Sequence, residues 1–257
     1  MPAASRQRLS ADETKERLLA SGFASLTTSG MSIGMDSVNL EHAVRDAAVS
    51  RSSAYLVWST DDHYSPQEMF QHAVLRRAVE ARNATVERLQ ESAYSVVEEH
   101  GASMGPLELL REIIRVSGSA NVRAISDSSS WQLVIALRAI LHSAPDGRRD
   151  EDLADWMNES EEELRNATIN NVYRPLVELI GLVPRPEYGE LAYQYGEISS
   201  SALAEGLSAR YSLRAREHLE GLVHPAIKDP EKSWSVYSLM LEKIVQTFFV
   251  PGDGSDW

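Results

Sequence analysis

The sequence predicts an all-α protein, with an N-terminal three-helix helix-turn-helix head followed by a larger helical body. Three observations lead there. Alternating β-branched runs are absent, helix-start signals recur along the chain, and apolar residues return at intervals near 3.6 rather than two. At 257 residues, with 43% apolar and 25% charged side chains, the chain has a globular composition and room for one large core or two unequal ones.

Each helix has a local reason. Ser10-Ala-Asp-Glu13 has capping-box spacing and opens a helix whose apolar stripe is Leu18, Leu19, Phe23 and Leu26, with Gly30 as its stop. The polar stretch MSIGMDSVN then leads to Asn39, an N-cap for a short helix from Leu40 to about Ala47. Ser50 caps a third helix running through Tyr55 to Trp58. Ser65-Pro66-Gln67-Glu68 combines a cap, a proline at the first helical position and a glutamate three residues on, and predicts a long helix to His100. Further helices are expected over about 106–125, 129–142, 150–182, 187–219 and 230–250, separated by Gly- and Pro-bearing loops. No repeat of fixed period is present. These elements group as a head over 10–60 and a body over 61–250.

The net charge of −13 argues against a polyanionic partner until its distribution is considered. Up to Thr60 the basic residues (Arg6, Arg8, Lys15, Arg17, Arg45, Arg51) balance the acidic ones (Asp12, Glu13, Glu16, Asp36, Glu41, Asp46), so the whole excess lies in the body. A neutral head on an acidic body is compatible with one end approaching DNA. The absence of cysteine excludes disulfides and thiol chemistry and fits a reducing compartment. MPAASRQRLSADETKERLL lacks the apolar core of a signal peptide, and the longest apolar stretch, LVIALRAIL, is interrupted by Arg138. A cytoplasmic protein with no membrane association is therefore expected. The N-x-S/T triplets at Asn83, Asn158 and Asn166 are then chance matches.

AVRDAAVSRSSAYLVW, residues 43–58, carries the candidate chemistry. In a helix-turn-helix the first helix braces the second, which enters the major groove. Ala43, Val44 and Val49 suit the core of such a head, while Ser50, Arg51, Ser52, Ser53 and Tyr55 fall on the leading part of the second helix and Arg45 on the first. Arginine pairs with guanine or phosphate, serine with phosphate or a base edge, and a tyrosine hydroxyl with phosphate oxygen. Spacing alone serves equally well for two ordinary amphipathic helices with Arg51 solvated.

The order of these parts resembles the DNA-binding head of the tetracycline-repressor (TetR) family. Ala48-Val49-Ser50 matches that family's turn, Arg51 its basic residue, Ser53 its small hydroxyl residue, Tyr55 its tyrosine and Trp58 its closing aromatic. EYGELAYQYGEISSSALAEGLSARYSL is similar to the penultimate helix of such regulators, with a last helix after Asp229-Pro230. The resemblance implies a homodimer that binds a double-stranded DNA operator, as a repressor responsive to a small effector. Leu56 and Val57, where the family commonly carries polar side chains, and the Asp61-Asp62 pair keep a second reading open, a module of the same fold that binds protein instead.

The body offers an apolar seam. Trp234, Tyr237, Leu241, Ile244 and Phe248 follow alternating spacings of three and four, and Leu191, Tyr195, Ile198 and Ala202 recur at matching intervals. Such a seam packs either inside one subunit or against a second; the resemblance implies a four-helix dimer interface. Trp131, Leu137, Trp156, Met157 and Tyr173 are candidate walls of an effector cavity, for which a neutral or cationic apolar molecule is favoured because the surrounding helices are acidic.

Other chemistry is expected to be absent. Gly101-Ala-Ser103-Met-Gly105 fits the pattern of a nucleophile elbow, but such an elbow follows a strand and this one follows a helix. His63 beside Asp61 and Asp62 is a sparse ligand set for a metal, and no phosphate-cradling glycine loop or dinucleotide fingerprint occurs. The expectation is a non-enzyme without a cofactor.

Overall fold

A computed structural model describes residues 9–29, 38–58, 63–143, 150–211, 219–227, 229 and 231–254. The chain forms two compact units, one of Met1–Arg82 with Ser129–Arg149 and the other of Asn83–Ser128 with Asp150–Trp257. The described elements are overwhelmingly helical.

The first unit contains α1 (Ala11–Ser29), α2 (Leu40–Asp46), α3 (Arg51–Val57), the first half of α4 (Pro66–His100) and α6 (Ser129–Ser143). Its compact boundary runs past residue 60, because Phe70, Val74 and Leu75 of α4 are buried with Leu18 and Leu26 of α1, Leu40 of α2 and Ala54 of α3. Gly22 permits this, since a Cβ there would stand 2.6 Å from the Phe70 ring and 2.8 Å from Val74. Both capping boxes form: the Glu13 amide donates to Ser10 Oγ at 3.1 Å and the Ser10 amide to Glu13 at 2.7 Å, and Ser65 and Glu68 repeat the pattern. Gln67 then ties α4 to the start of α2, accepting from the Leu40 amide at 2.8 Å and donating to the Val38 carbonyl at 2.6 Å.

The second unit contains the rest of α4, α5 (Pro106–Asp127), α7 (Glu151–Thr168), a π-helical turn (Ile169–Tyr173), α8 (Arg174–Leu179), β1 (Leu182–Pro184), α9 (Leu191–Tyr211), α10 (Val236–Phe248) and β2 (Phe249–Pro251). The single helix expected over 150–182 is interrupted. Pro175 has no N–H to donate to the Asn171 carbonyl one turn earlier, so the chain widens into a π turn in which the Arg174 amide reaches back to Ile169. The Tyr94 hydroxyl takes the vacated place, donating to the Asn171 carbonyl at 2.5 Å.

Two short strands were not expected. Leu182–Pro184 pairs antiparallel with Phe249–Pro251 in register Val183↔Val250. Gly181, at φ 73°, ends the helix before β1, and Pro184 and Pro251 end the ladder within three residues. The last helix begins at Val236 rather than near 230, because Leu222 and Trp234 exchange backbone hydrogen bonds at 2.9 Å in each direction and Ser235 caps the helix beyond. The core of this unit includes Leu109, Ile113, Ile180, Ala192, Tyr193, Trp234 and Phe249. Gly118 of α5 lets α10 approach closely, its missing Cβ lying 2.9 Å from Ser238 Oγ and 3.3 Å from the Tyr237 ring.

Candidate nucleic-acid interface

The turn between α2 and α3 is set by backbone conformation. Ala48 sits at φ 52°, the left-handed region, so that the Val49 amide can return to the Val44 carbonyl at 3.2 Å. The chain then leaves this turn through Ser50, which is extended and accepts the Ser53 amide at 3.1 Å. Its hydroxyl also meets the Ser53 and Ser52 hydroxyls at 2.7 and 3.2 Å. Ser50 therefore spends its oxygen on the cap rather than presenting it outward.

Which side chains α3 presents follows from its rotation. Ala54 is wholly buried, at 0%, and Trp58 packs edge-on to Phe70 with ring centroids 5.8 Å apart. Leu56 lies about 200° around the axis from Ala54 and is 72% exposed, with exposed Ser52 and Ser53 on either side of it. Arg51 is exposed too, and Tyr55 half-buried. The outward face of α3 is thus Arg51, Ser52, Ser53 and Leu56.

Glu41, on α2, reaches this face. Tyr55 Oη donates to Glu41 Oε1 at 2.7 Å, Arg51 Nη2 lies 2.9 Å from the same oxygen, and the Arg51 guanidinium stands 5.6 Å from the Tyr55 ring centre. The neighbouring Tyr55 hydroxyl, and after it the Glu41 carboxylate, raise the Arg51 pKa above its ordinary value, and a guanidinium is charged at any ordinary pH in any case. Arg45 points to solvent beside Asp46, 3.6 Å away. Sequence reasoning did not find Glu41: it lies on a different helix from Arg51 and Tyr55, so no helical period relates them, and the contact exists because the turn folds α2 against α3.

The sequence-derived seam is divided by the structure. On α9, Leu191, Tyr195, Ile198 and Ala202 are exposed along the side opposite buried Tyr193, Glu197, Ser200 and Ala204. On α10, Leu241, Ile244 and Phe248 are half-buried and Met240 is exposed beside them. Trp234 and Tyr237 lie in the chain's own interior, Trp234 against the His224 ring and Tyr237 against Gly118. An aromatic group of Tyr188, Tyr195 and Phe248, with centroids 5.1 to 6.2 Å apart, joins the α9 and α10 parts of the exposed band.

The candidate effector residues fall in different units. Trp131 and buried Leu137 belong to α6, in the first; Trp156 and buried Met157 on α7, and Tyr173 in the π turn, belong to the second. Tyr173 joins a polar cluster that the sequence did not announce. Its hydroxyl meets Ser200 Oγ at 2.6 Å, Ser200 donates to the Glu197 carbonyl, and Glu197 accepts from Ser201 at 2.7 Å and Arg165 at 3.2 Å. Burial pushes the Tyr173 phenol up to about 12 and raises that of Tyr237 as well, so both stay protonated and able to donate.

Of the other sequence candidates, Gly101–Gly105 joins helix α4 to helix α5, with Ser103 Oγ donating to the His100 carbonyl at 3.0 Å. Asp61 and Asp62 lie outside the described residues. No described helix is long and apolar enough to cross a membrane. No protein-family model, curated protein or solved structure matches this chain.

Proposed function

We propose that this protein is a DNA-binding transcriptional regulator of the tetracycline-repressor type, a cytoplasmic homodimer that releases its operator when a small apolar effector binds the body. The observation that carries the reading is the α2-turn-α3 unit. It is a short bracing helix, a left-handed residue at Ala48, a serine cap, and a second helix whose outward face bears Arg51, Ser52 and Ser53. Arg51 supplies a fixed positive charge and the serines supply donors, which suits phosphate and base-edge contacts.

Dimerisation supplies what one head lacks. Arg51 and Arg45 are few cations for a polyanion, whereas two heads held about 34–36 Å apart meet successive major grooves on one side of the duplex. The exposed α9 stripe and the adjoining α10 residues offer a self-complementary apolar band for that pairing. An effector that binds better to a conformation with misfit heads lowers operator affinity in proportion to that preference. No catalysis is assigned to the chain.

A shift assay on the intergenic DNA flanking its own coding region tests this. Wild-type protein is expected to retard the fragment in a salt-dependent way, and Arg51→Ala to weaken it. A second reading, an interaction module without DNA binding, is favoured by one observation, the pairing of both Arg51 and Tyr55 with Glu41. Under it, no fragment is retarded and Arg51→Ala changes nothing.

A further inference from the structure

We infer that Leu56 is a base-reading residue, selecting thymine through its C5 methyl group. The inference rests on the proposed docking of α3 and adds to it the base that is chosen. Ala54 sets the buried direction of α3, and Leu56, about 200° around the axis from it, shares the outermost part of the helix with Ser52, with exposed Ser53 on its other side. If that face enters the major groove, the outermost side chains are Ser52 and this leucine, and the leucine is the apolar one of the two.

The chemistry of that position is restrictive. A leucine neither donates nor accepts a hydrogen bond, so facing a guanine, adenine or cytosine edge it would strip water from base polar groups and return nothing. The thymine methyl is the apolar group on the major-groove edges of the four bases. Pressing a methyl against an isobutyl group removes both from water. At 72% exposure Leu56 still has most of its apolar surface to bury. Ser52 and Ser53 can reach backbone or neighbouring base edges in the same pose, so the leucine sets the base while they set the register.

The test is selection from a random duplex pool with wild-type protein, followed by replacement of each selected thymine in turn by deoxyuridine, which lacks only the methyl group. The expected result is one thymine per half-site whose replacement weakens wild-type binding by about three- to ten-fold. The same replacement leaves Leu56→Ala unaffected, and Leu56→Ala selects a pool degenerate at that base. Wild-type binding that tolerates deoxyuridine at every position, or Leu56→Ala with unchanged preference, overturns the assignment while leaving DNA binding intact. A pool that yields no enriched sequence at all, with Leu56→Ala instead altering self-association in sedimentation, overturns it together with the reading beneath it.

Discussion

Tyr55 donates its hydroxyl proton to Glu41 Oε1 at 2.7 Å, fixing one carboxylate from the bracing helix against the exposed face of the next. Because Arg51 meets the same oxygen, the cation offered to DNA already has a carboxylate partner. A phosphate has to compete with Glu41 for it. Glu41→Gln removes the competing charge while keeping a hydrogen-bonding oxygen. It is expected to raise affinity for duplex DNA about two- to five-fold, the range of an exposed ion pair. Anisotropy titrations against salt check this, with Arg51→Ala lowering the salt slope by about one unit for each head bound.

Ser50 and Ala48 govern the placement of α3 from the backbone side. Ser50→Ala removes the cap on the Ser53 amide and is expected to cost about 1 kcal/mol in denaturant unfolding. Ala48→Gly acts oppositely: at φ 52° glycine avoids a left-handed strain of about 1–2 kcal/mol, so the midpoint of unfolding rises.

The α9 stripe offers a charge-insertion test. Ile198 is 48% exposed, so Ile198→Glu leaves the subunit folded yet puts a carboxylate in the middle of the proposed pairing band. Sedimentation equilibrium is expected to show a dimer weakened by about a hundred-fold or more, since an unpaired buried charge costs several kcal/mol. A mutant with unaltered mass distribution contradicts the use of this face.

Glu242 is expected to make the second unit acid-sensitive. It is buried, accepting from Arg111 Nε at 2.8 Å and lying 2.5 Å from His224 Nε2, while His224 Nδ1 accepts the Ala226 and Ile227 amides. Burial pushes the Glu242 carboxyl up, but the hydrogen bonds from Arg111 and His224, with the Arg111 charge, outweigh it and hold the pKa below the usual 4.5. A depressed folded pKa stabilises the protein above 4.5, and that contribution is lost as pH falls through the folded value. Glu242→Gln is expected to cost about 3–5 kcal/mol at neutral pH and to flatten the acid limb of a stability profile.

The parts legible in the sequence were those carried by local signals. The Ser10 and Ser65 capping boxes, the Asn39 and Ser50 caps and the α9 stripe all depend on residues a few positions apart, and each forms. What escaped depends on long-range closure. Trp234 has the spacing of a seam residue, yet the Leu222 bridge turns it into the core before α10 begins. The π turn needed both Pro175 and a tyrosine 77 residues away to satisfy the carbonyl it freed. Glu41 entered the interface through a turn geometry that periodicity does not encode.

The chain contains no cysteine, so Ser52→Cys creates a unique attachment point on the outward face of α3. An iron chelate tethered there and triggered to cleave bound DNA reports directly where that face lies. The account predicts two clusters of cuts in the major groove, separated by about 10–10.5 base pairs or a multiple of it. Retained DNA binding with no localised cleavage, or cleavage confined to a single position, would contradict it.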